Sequence, residues 1–320
     1  MKTESELYQF YKTDLLEELK ALDMERRAIL NKLKITFVII VSIIVIVILF
    51  LIPGAFVNVQ MCLFTGTAGL AIFGFLYKMF TSGFVRIFKD KIVNRIIKFL
   101  DGNLTYSPEE YIDKSKFELS RIFIQSVNKY SGDDLVSGRI DKTNIEFSEI
   151  NAKHETRDSK GRTHTTTIFH GLFFIADFNK NFNGSLVVVP DTAQSLLGKF
   201  GQTLQSINIF RGRLIKLEDP EFEKLFAVYG DNQVEARYIL STSLMSRITE
   251  FKKKTNKKIY LSFLASKIFV AIDYNRDLFE PKIWSQLTDF EPIKEYFRDL
   301  TTAIGIVEDL NLNLRIWSKN

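Results

Sequence analysis

The chain has 320 residues, 46% of them hydrophobic, a net charge of +5 and a single cysteine. That length holds one large domain or two smaller ones with a sizeable core. The charge is too small to point to nucleic acid, and one cysteine excludes a disulfide framework or a thiolate-rich metal site.

Residues 1–34 read as a cytosolic amphipathic helix. Leu15, Leu19, Leu22, Arg26, Ile29 and Leu33 make a heptad-like seam with one arginine in it. Such a seam suits self-association into a homo-oligomer and packing within the chain equally well.

Residues 35–77 carry no charged side chain and read as a two-span transmembrane hairpin. The runs Ile35–Ile52 and Ala55–Tyr77 are separated by Pro53-Gly54. A helix needs roughly 20 apolar residues to cross a hydrocarbon core of about 30 Å, and both runs qualify. The first run starts too far into the chain and is too long for a cleaved signal peptide. Thr65/Gly69 and Thr67/Ala71 have the small-xxx-small spacing that lets helices approach closely. Lys20, Arg26, Arg27, Lys32 and Lys34 precede the first run, and Lys78, Arg86, Lys89, Lys91, Arg95 and Lys98 follow the second. Lysine and arginine stay on the cytoplasmic side, so both termini are expected there.

Residues 78–106 read as a basic juxtamembrane helix or linker. Val85, Phe88, Ile92, Ile96 and Phe99 form its apolar stripe, and Lys89, Lys91, Arg95 and Lys98 are candidate lipid-facing cations. An extension of the second span has the same pattern.

Residues 107–320 read as a cytosolic α+β domain with mainly antiparallel sheet and several helices, expected to fold alone. Ser107-Pro108-Glu109-Glu110 has the form of a helix start, with a helix to about Lys129. After the break at YSGDD, strands are expected over LVSGRI and TNIEFSEINAKHE, with TRDSKGRTH as a polar tip. TTTIFHGLFFIADF and SLVVVPD are two more strands, expected to form a hairpin across NKNFNG. Thr192–Ser206 looks helical, and RLIKL is a short strand. A helix is expected from Asp219-Pro220 to Gly230, and another from the Asn232/Glu235 capping box to about Lys254. KIYLSFLASKIFVAI alternates as a hairpin, and a last helix runs from about Pro292 to Leu310.

Candidate chemistry is thin. His154, His164 and His170 surround the polar tip, and a zinc reading would join them with Glu155 or Asp158. The spacings match no zinc pattern, and His164 and His170 lie roughly 20 Å apart along an extended strand, too far for one ion. Asp133 and Asp134 offer paired carboxylates for acid–base work, but adjacent acids before a strand commonly serve turns. LGKFGQ lacks the form of a phosphate loop, and FKKKTNKK reads as a cationic helix end. The residues therefore nominate no catalytic, cofactor-binding or metal position. His170 is expected near solvent and dispensable.

The segments SGDDLVSGRI, TNIEFSEI, IFHGLFFIADFNKNFNGSLVVVPD, FAVYGDNQVEARYIL, KIYLSF and KIFVAI resemble a bacterial two-span membrane family with a C-terminal cytosolic domain of unknown function (3137 type). The resemblance implies a multi-pass protein of the bacterial inner (cytoplasmic) membrane, with a LemA-type membrane protein as a partner. It brings no catalytic or binding residues, and the TRDSKGRTHTT tip departs from the pattern. The reading that follows is a membrane-anchored interaction or scaffold module without catalytic site or cofactor. Its alternatives are a membrane-tethered hydrolase acting on a nucleotide or lipid, using the Asp133/Asp134 region, and a lipid-headgroup sensor.

Overall fold

A computed structural model describes residues 2–51, 59–180, 182–191 and 211–313. The chain divides into two compact units. One comprises Lys2–Arg95 with Glu280–Glu295, and the other Ile96–Phe279 with the residues from Tyr296 onward.

The first unit is helical. α1 (Glu4–Phe10) opens on a capping box in which Thr3 and Glu6 satisfy each other's backbone N–H groups. A π turn (Tyr11–Leu15) and α2 (Leu16–Leu51) follow without a break. α3 (Val59–Phe88) comes back along α2 and leads into a π turn (Lys89–Val93) and α4 (Asn94–Leu100). The seam residues Leu15, Leu19, Leu22, Arg26 and Leu33 are buried within the chain. Farther along, Phe37 and Phe73 meet ring to ring at 5.5 Å. A Cβ on Gly69 would fall 2.5 Å from Ile44 Cδ1, so the small-residue spacing allows the two helices their close approach. Both helices are long and apolar enough to cross a membrane. The expected break at Pro53-Gly54 lies outside the described residues.

Residues 280–295 group with these helices rather than with the sheet. Asp23 and Arg26 hold them. Asp23 Oδ1 accepts from Leu287 N at 3.1 Å and Arg26 Nη1 donates to Ile283 O at 3.0 Å, while Arg26 and Asp23 pair at 2.8 Å. The Tyr11 hydroxyl donates to Thr288 O, and the Phe290 ring packs on Tyr8 and Tyr11.

The second unit is built on a nine-stranded antiparallel sheet. Its strands are β1 (Thr105–Ser107), β2 (Lys129–Ile140), β3 (Thr143–Arg157), β4 (Thr163–Asp177), β5 (Leu186–Pro190), β6 (Arg213–Ile215), β7 (Phe226–Gly230), β8 (Ile259–Leu264) and β9 (Lys267–Asp273). Their order is β1-β2-β3-β4-β9-β8-β5-β7-β6. The described helices added to it are α5 (Lys114–Leu119), α6 (Pro220–Leu225), α7 (Gln233–Ile239) and α8 (Thr242–Thr255), and α9 (Phe290–Asp309) closes the described chain. The α+β class and the antiparallel sheet expected from the sequence are thus observed.

Several local expectations are corrected. Phe169–Asp191 is not a hairpin. β4 pairs with β9, β5 pairs with β8 and β7, and the β8–β9 hairpin stands between them. The connection over residues 178–185 is longer than the two to five residues of a usual hairpin loop. β8 and β9 instead close through Ala265 and Ser266, both in the left-handed conformation of a tight two-residue turn. Ser107 ends β1 opposite Leu135 rather than capping a helix, because ladder pairing outcompetes the local cap, and the helix that follows is short and starts after Asp113. YSGDD lies inside β2, where the register shifts between Asp133 and Val136. The helix at Pro220 ends at Leu225, since Phe226–Gly230 is a fully buried strand. Asn232 caps α7, but the Glu235 carboxylate accepts from Asn183 N and Gly184 N instead of closing the box. The helix from there is broken before Thr242. The helix expected over Thr192–Ser206 lies outside the described residues, as do the LGKFGQ segment and most of LNLRIW.

Alternation along β4 places Phe169, Phe173 and Ile175 in an aromatic-rich core with Phe117, Ile150, Ala152 and Phe269. Leu172, Phe174 and Ala176 face the other way and are buried too. Both faces of the sheet centre are covered, which is why this strand reads as a nearly continuous apolar run.

Candidate functional site

One polar cluster interrupts that second, apolar face. On β3, Ile145, Phe147, Glu149 and Asn151 share a face by strand alternation. The register sets Asn151 opposite His170 and Glu149 opposite Leu172, so Glu149 and His170 are diagonal neighbours. Glu149 Oε1 and His170 Nε2 are 3.1 Å apart, and Glu149 Oε2 accepts from Leu278 N at 2.7 Å. His170 Nε2 also lies 3.2 Å from Asp277 Oδ1.

Asp277 arrives there because the chain folds back directly after β9. Tyr274 N and Asn275 N both donate to His170 O, at 3.1 and 2.9 Å. Gly171 permits this. A Cβ there would stand 2.7 Å from Tyr274 N and closer still to Ile272 O, so only a bare backbone lets the return segment approach.

The side chain of Glu149 is 6% exposed, that of His170 15% and that of Asp277 70%. Burial pushes the Glu149 carboxyl up to about 9, and the nearby charges of Asp133, Asp134 and Asp277 add to the rise, against a lowering by the Leu278 N–H bond. Asp134 is fully buried, and the Tyr106 hydroxyl donates to its Oδ1. The fold thus brings the Asp133/Asp134 pair, which looked like turn residues, beside an acid with a strongly displaced titration.

A pH dependence follows. The native state favours the protonated Glu149 carboxyl, so the stability this contributes is complete below about 4.5 and is lost as pH rises toward 9. In metal-free, EDTA-treated protein, Glu149→Gln removes the titration, and its melting temperature is expected to fall less between pH 5 and 9 than that of the parent. Parallel melting-temperature curves for the two proteins across this range would contradict the assignment.

The other histidines do not join the cluster. His154 Nδ1 lies 2.7 Å from Ser126 O, and His164 pairs with Asp158 at 3.5 Å on the polar tip. His170, expected near solvent, is instead the partner of a buried carboxyl. Of the basic residues expected to face lipid, Lys89 is corrected: it is buried and pairs with Glu280 at 2.6 Å. Ile92, Val93 and Ile96 are buried on the same stretch, which turns Lys89 inward with them. Lys91 pairs with Glu18 at 2.6 Å, Arg95 donates to Asp14 O at 3.0 Å, and Lys98 donates to Gly102 O at 3.2 Å. The FKKKTNKK run ends α8 at a left-handed Asn256, with Lys254 on Asp309 at 2.7 Å.

Sequence reasoning missed Glu149 and Asp277. A signal for the first was present: an acid at a position that alternation assigns to an apolar face. Asp277 sits after the last strand of a hairpin and carries none.

Comparison with known proteins places residues 167–312 in a match to a family described as "Protein of unknown function (DUF3137)". His170 and Asp277 lie within the matched residues, and Glu149, Asp133 and Asp134 precede them. No curated protein matches. Among solved structures, the crystal structure of the mycobacterial trehalose monomycolate transport factor A, TtfA, aligns at 11% identity over 66% of this chain and 95% of that chain, with a TM-score of 0.29.

Proposed function

From the premise that the C-terminal part carries a DUF3137-type domain, we propose that this protein is a membrane-anchored interaction module. Its sheet unit works in the cytoplasm of a bacterium, and a helical hairpin ties it to the inner membrane. The observation that supports the tether is the outer surface of α2 and α3. Ile35, Val38, Ile46, Leu49, Leu63, Phe64, Leu70 and Phe75 are all more than half exposed on helices that carry no charge there. Apolar surface of that extent is costly in water and matches a hydrocarbon solvent. The basic residues flanking the hairpin favour cytoplasmic termini. A role in recruiting protein partners, with a LemA-type membrane protein as the first to test, accords with a family model that assigns the domain no known function.

Topology is the primary test. A reporter fused at residue 56 is expected outside the cytoplasm and one fused at residue 320 inside. An external signal from the C-terminal fusion would overturn the proposal. Crosslinking in native membranes followed by pull-down then identifies the partner.

The Glu149–His170–Asp277 cluster favours a second reading, a membrane-tethered hydrolase acting on a nucleotide or lipid. A buried acid with a displaced titration beside a histidine is a common feature of catalytic sites. Turnover of such substrates by the parent protein, abolished in His170→Gln, would replace the scaffold reading with this one.

A further inference from the structure

We propose that Glu149, His170 and Asp277 form a binding site for one first-row divalent cation of the zinc class, with a fourth coordination position open to solvent. The site does not depend on the membrane tether.

Geometry carries the proposal. Glu149, His170 and Asp277 each offer one ligand atom, and these atoms all lie within 4.8 Å of one another. The imidazole nitrogen stands 3.1 Å from one carboxylate oxygen and 3.2 Å from the other. Ligands about 2.0–2.2 Å from a tetrahedral zinc ion stand about 3.3–3.6 Å apart, so the imidazole nitrogen is within a few tenths of an ångström of that spacing from each carboxylate oxygen. One nitrogen and two carboxylate oxygens also form a donor set that zinc accepts in open sites, where a solvent molecule completes the shell.

The ligands are held where a metal needs them. Glu149 and His170 sit on the paired central strands β3 and β4, and the return segment bearing Asp277 is tied by two N–H bonds to His170 O. The second oxygen of Glu149 accepts from Leu278 N, an outer bond of the kind that orients a metal-binding carboxylate through a single oxygen. Asn151, directly opposite His170, has a buried Oδ1 with no hydrogen-bond partner among the described residues. A carbonyl oxygen left without a donor on the residue opposite His170 suits a cation or the water bound to it. The exposed Asp277 provides the path of entry.

Charge points the same way. Two carboxyl groups, those of Glu149 and Asp277, stand against the one imidazole. A bound dication matches the charge of the two carboxylates that would ligate it. The same distances fit a metal-free hydrogen-bonded bridge through the imidazole, and the experiment must separate the two.

The test uses the untagged full-length chain in detergent, stripped with EDTA and dialysed against Zn2+. Metal content and calorimetric titration are expected to show one ion per chain bound at micromolar or lower concentration, with a rise in melting temperature. Co2+ in place of Zn2+ should give the intense visible absorption of a tetrahedral site. Asp277→Asn, on an exposed side chain, should keep the metal-free melt and weaken binding by roughly tenfold or more, and His170→Gln should weaken binding to a similar degree. His164→Gln should leave binding unchanged. Absence of stoichiometric binding, or binding equal to the parent in Asp277→Asn, overturns the proposal and leaves a metal-free hydrogen-bonded bridge only.

Discussion

Replacing Phe173 or Phe174 by alanine is expected to lower the melting temperature of the sheet unit by roughly 10 °C. The two side chains are fully buried, on opposite faces of β4. Phe173 meets Phe117 at 5.0 Å and Phe269 at 6.3 Å between ring centroids, and Phe174 stacks on Phe147 at 6.2 Å. Truncating such a ring costs about 3–5 kcal/mol, because transfer free energy is lost and a cavity remains where the neighbours cannot collapse. For a unit of this size each kcal/mol moves the midpoint by about 2–4 °C. The measurement is a thermal melt of the full chain followed by near-ultraviolet circular dichroism. If only one variant melts early, the other face is not packed as described. His170→Ala belongs in the same experiment. It removes the partner of a buried carboxyl, so it too is expected to change stability, contrary to the expectation from the sequence.

Asp23→Ala is expected to release residues 280–295 from the helical unit. Asp23 and Arg26 are 6% and 7% exposed, and between them they bind the Leu287 N–H and the Ile283 carbonyl. Removing one member of a buried ion pair leaves the other charge desolvated and unpaired, at a cost of about 3–5 kcal/mol. Arg27, which also reaches Asp23 at 2.9 Å, is largely exposed and loses little. Limited trypsin digestion should cut the variant faster than the parent at Lys282 or Lys294, inside the released segment. Replacing Asp23 and Arg26 together by leucine should recover only part of the loss, since an apolar pair leaves no stranded charge but leaves the Leu287 N–H and the Ile283 carbonyl without these partners. Equal digestion rates for the parent and Asp23→Ala would mean that the ring packing at Tyr8, Tyr11 and Phe290 holds the segment without the ion pair.

The features that were legible in the sequence are local ones. The uncharged stretch from Ile35 to Tyr77 identifies two helices long and apolar enough to cross a membrane, because length and composition are local properties. Alternation over Ile259–Leu264 and Lys267–Asp273 identifies a hairpin, and the seam through Leu15, Leu19 and Leu22 identifies the buried side of α2. What remained hidden depends on pairing between distant segments. β8 and β9 insert between β4 and β5, although nearly 70 residues separate β8 from β5 along the chain. Ser107 has every attribute of a helix cap, yet it lies in a ladder with Leu135, because a strand partner offers more hydrogen bonds than a cap does. Lys89 has the spacing of a surface cation and is buried against Glu280.

The candidate site shows the same division. The sequence determined that Glu149 and His170 fall on strands and that a glycine follows the histidine. Only the tertiary structure decided that these strands pair in a register that joins the two side chains, and that bare backbone at Gly171 admits the segment carrying Asp277. Periodicity and capping act over a few residues and leave a local imprint. Register and close backbone approach are set by whichever distant strand wins the pairing, and no short stretch of sequence records that outcome.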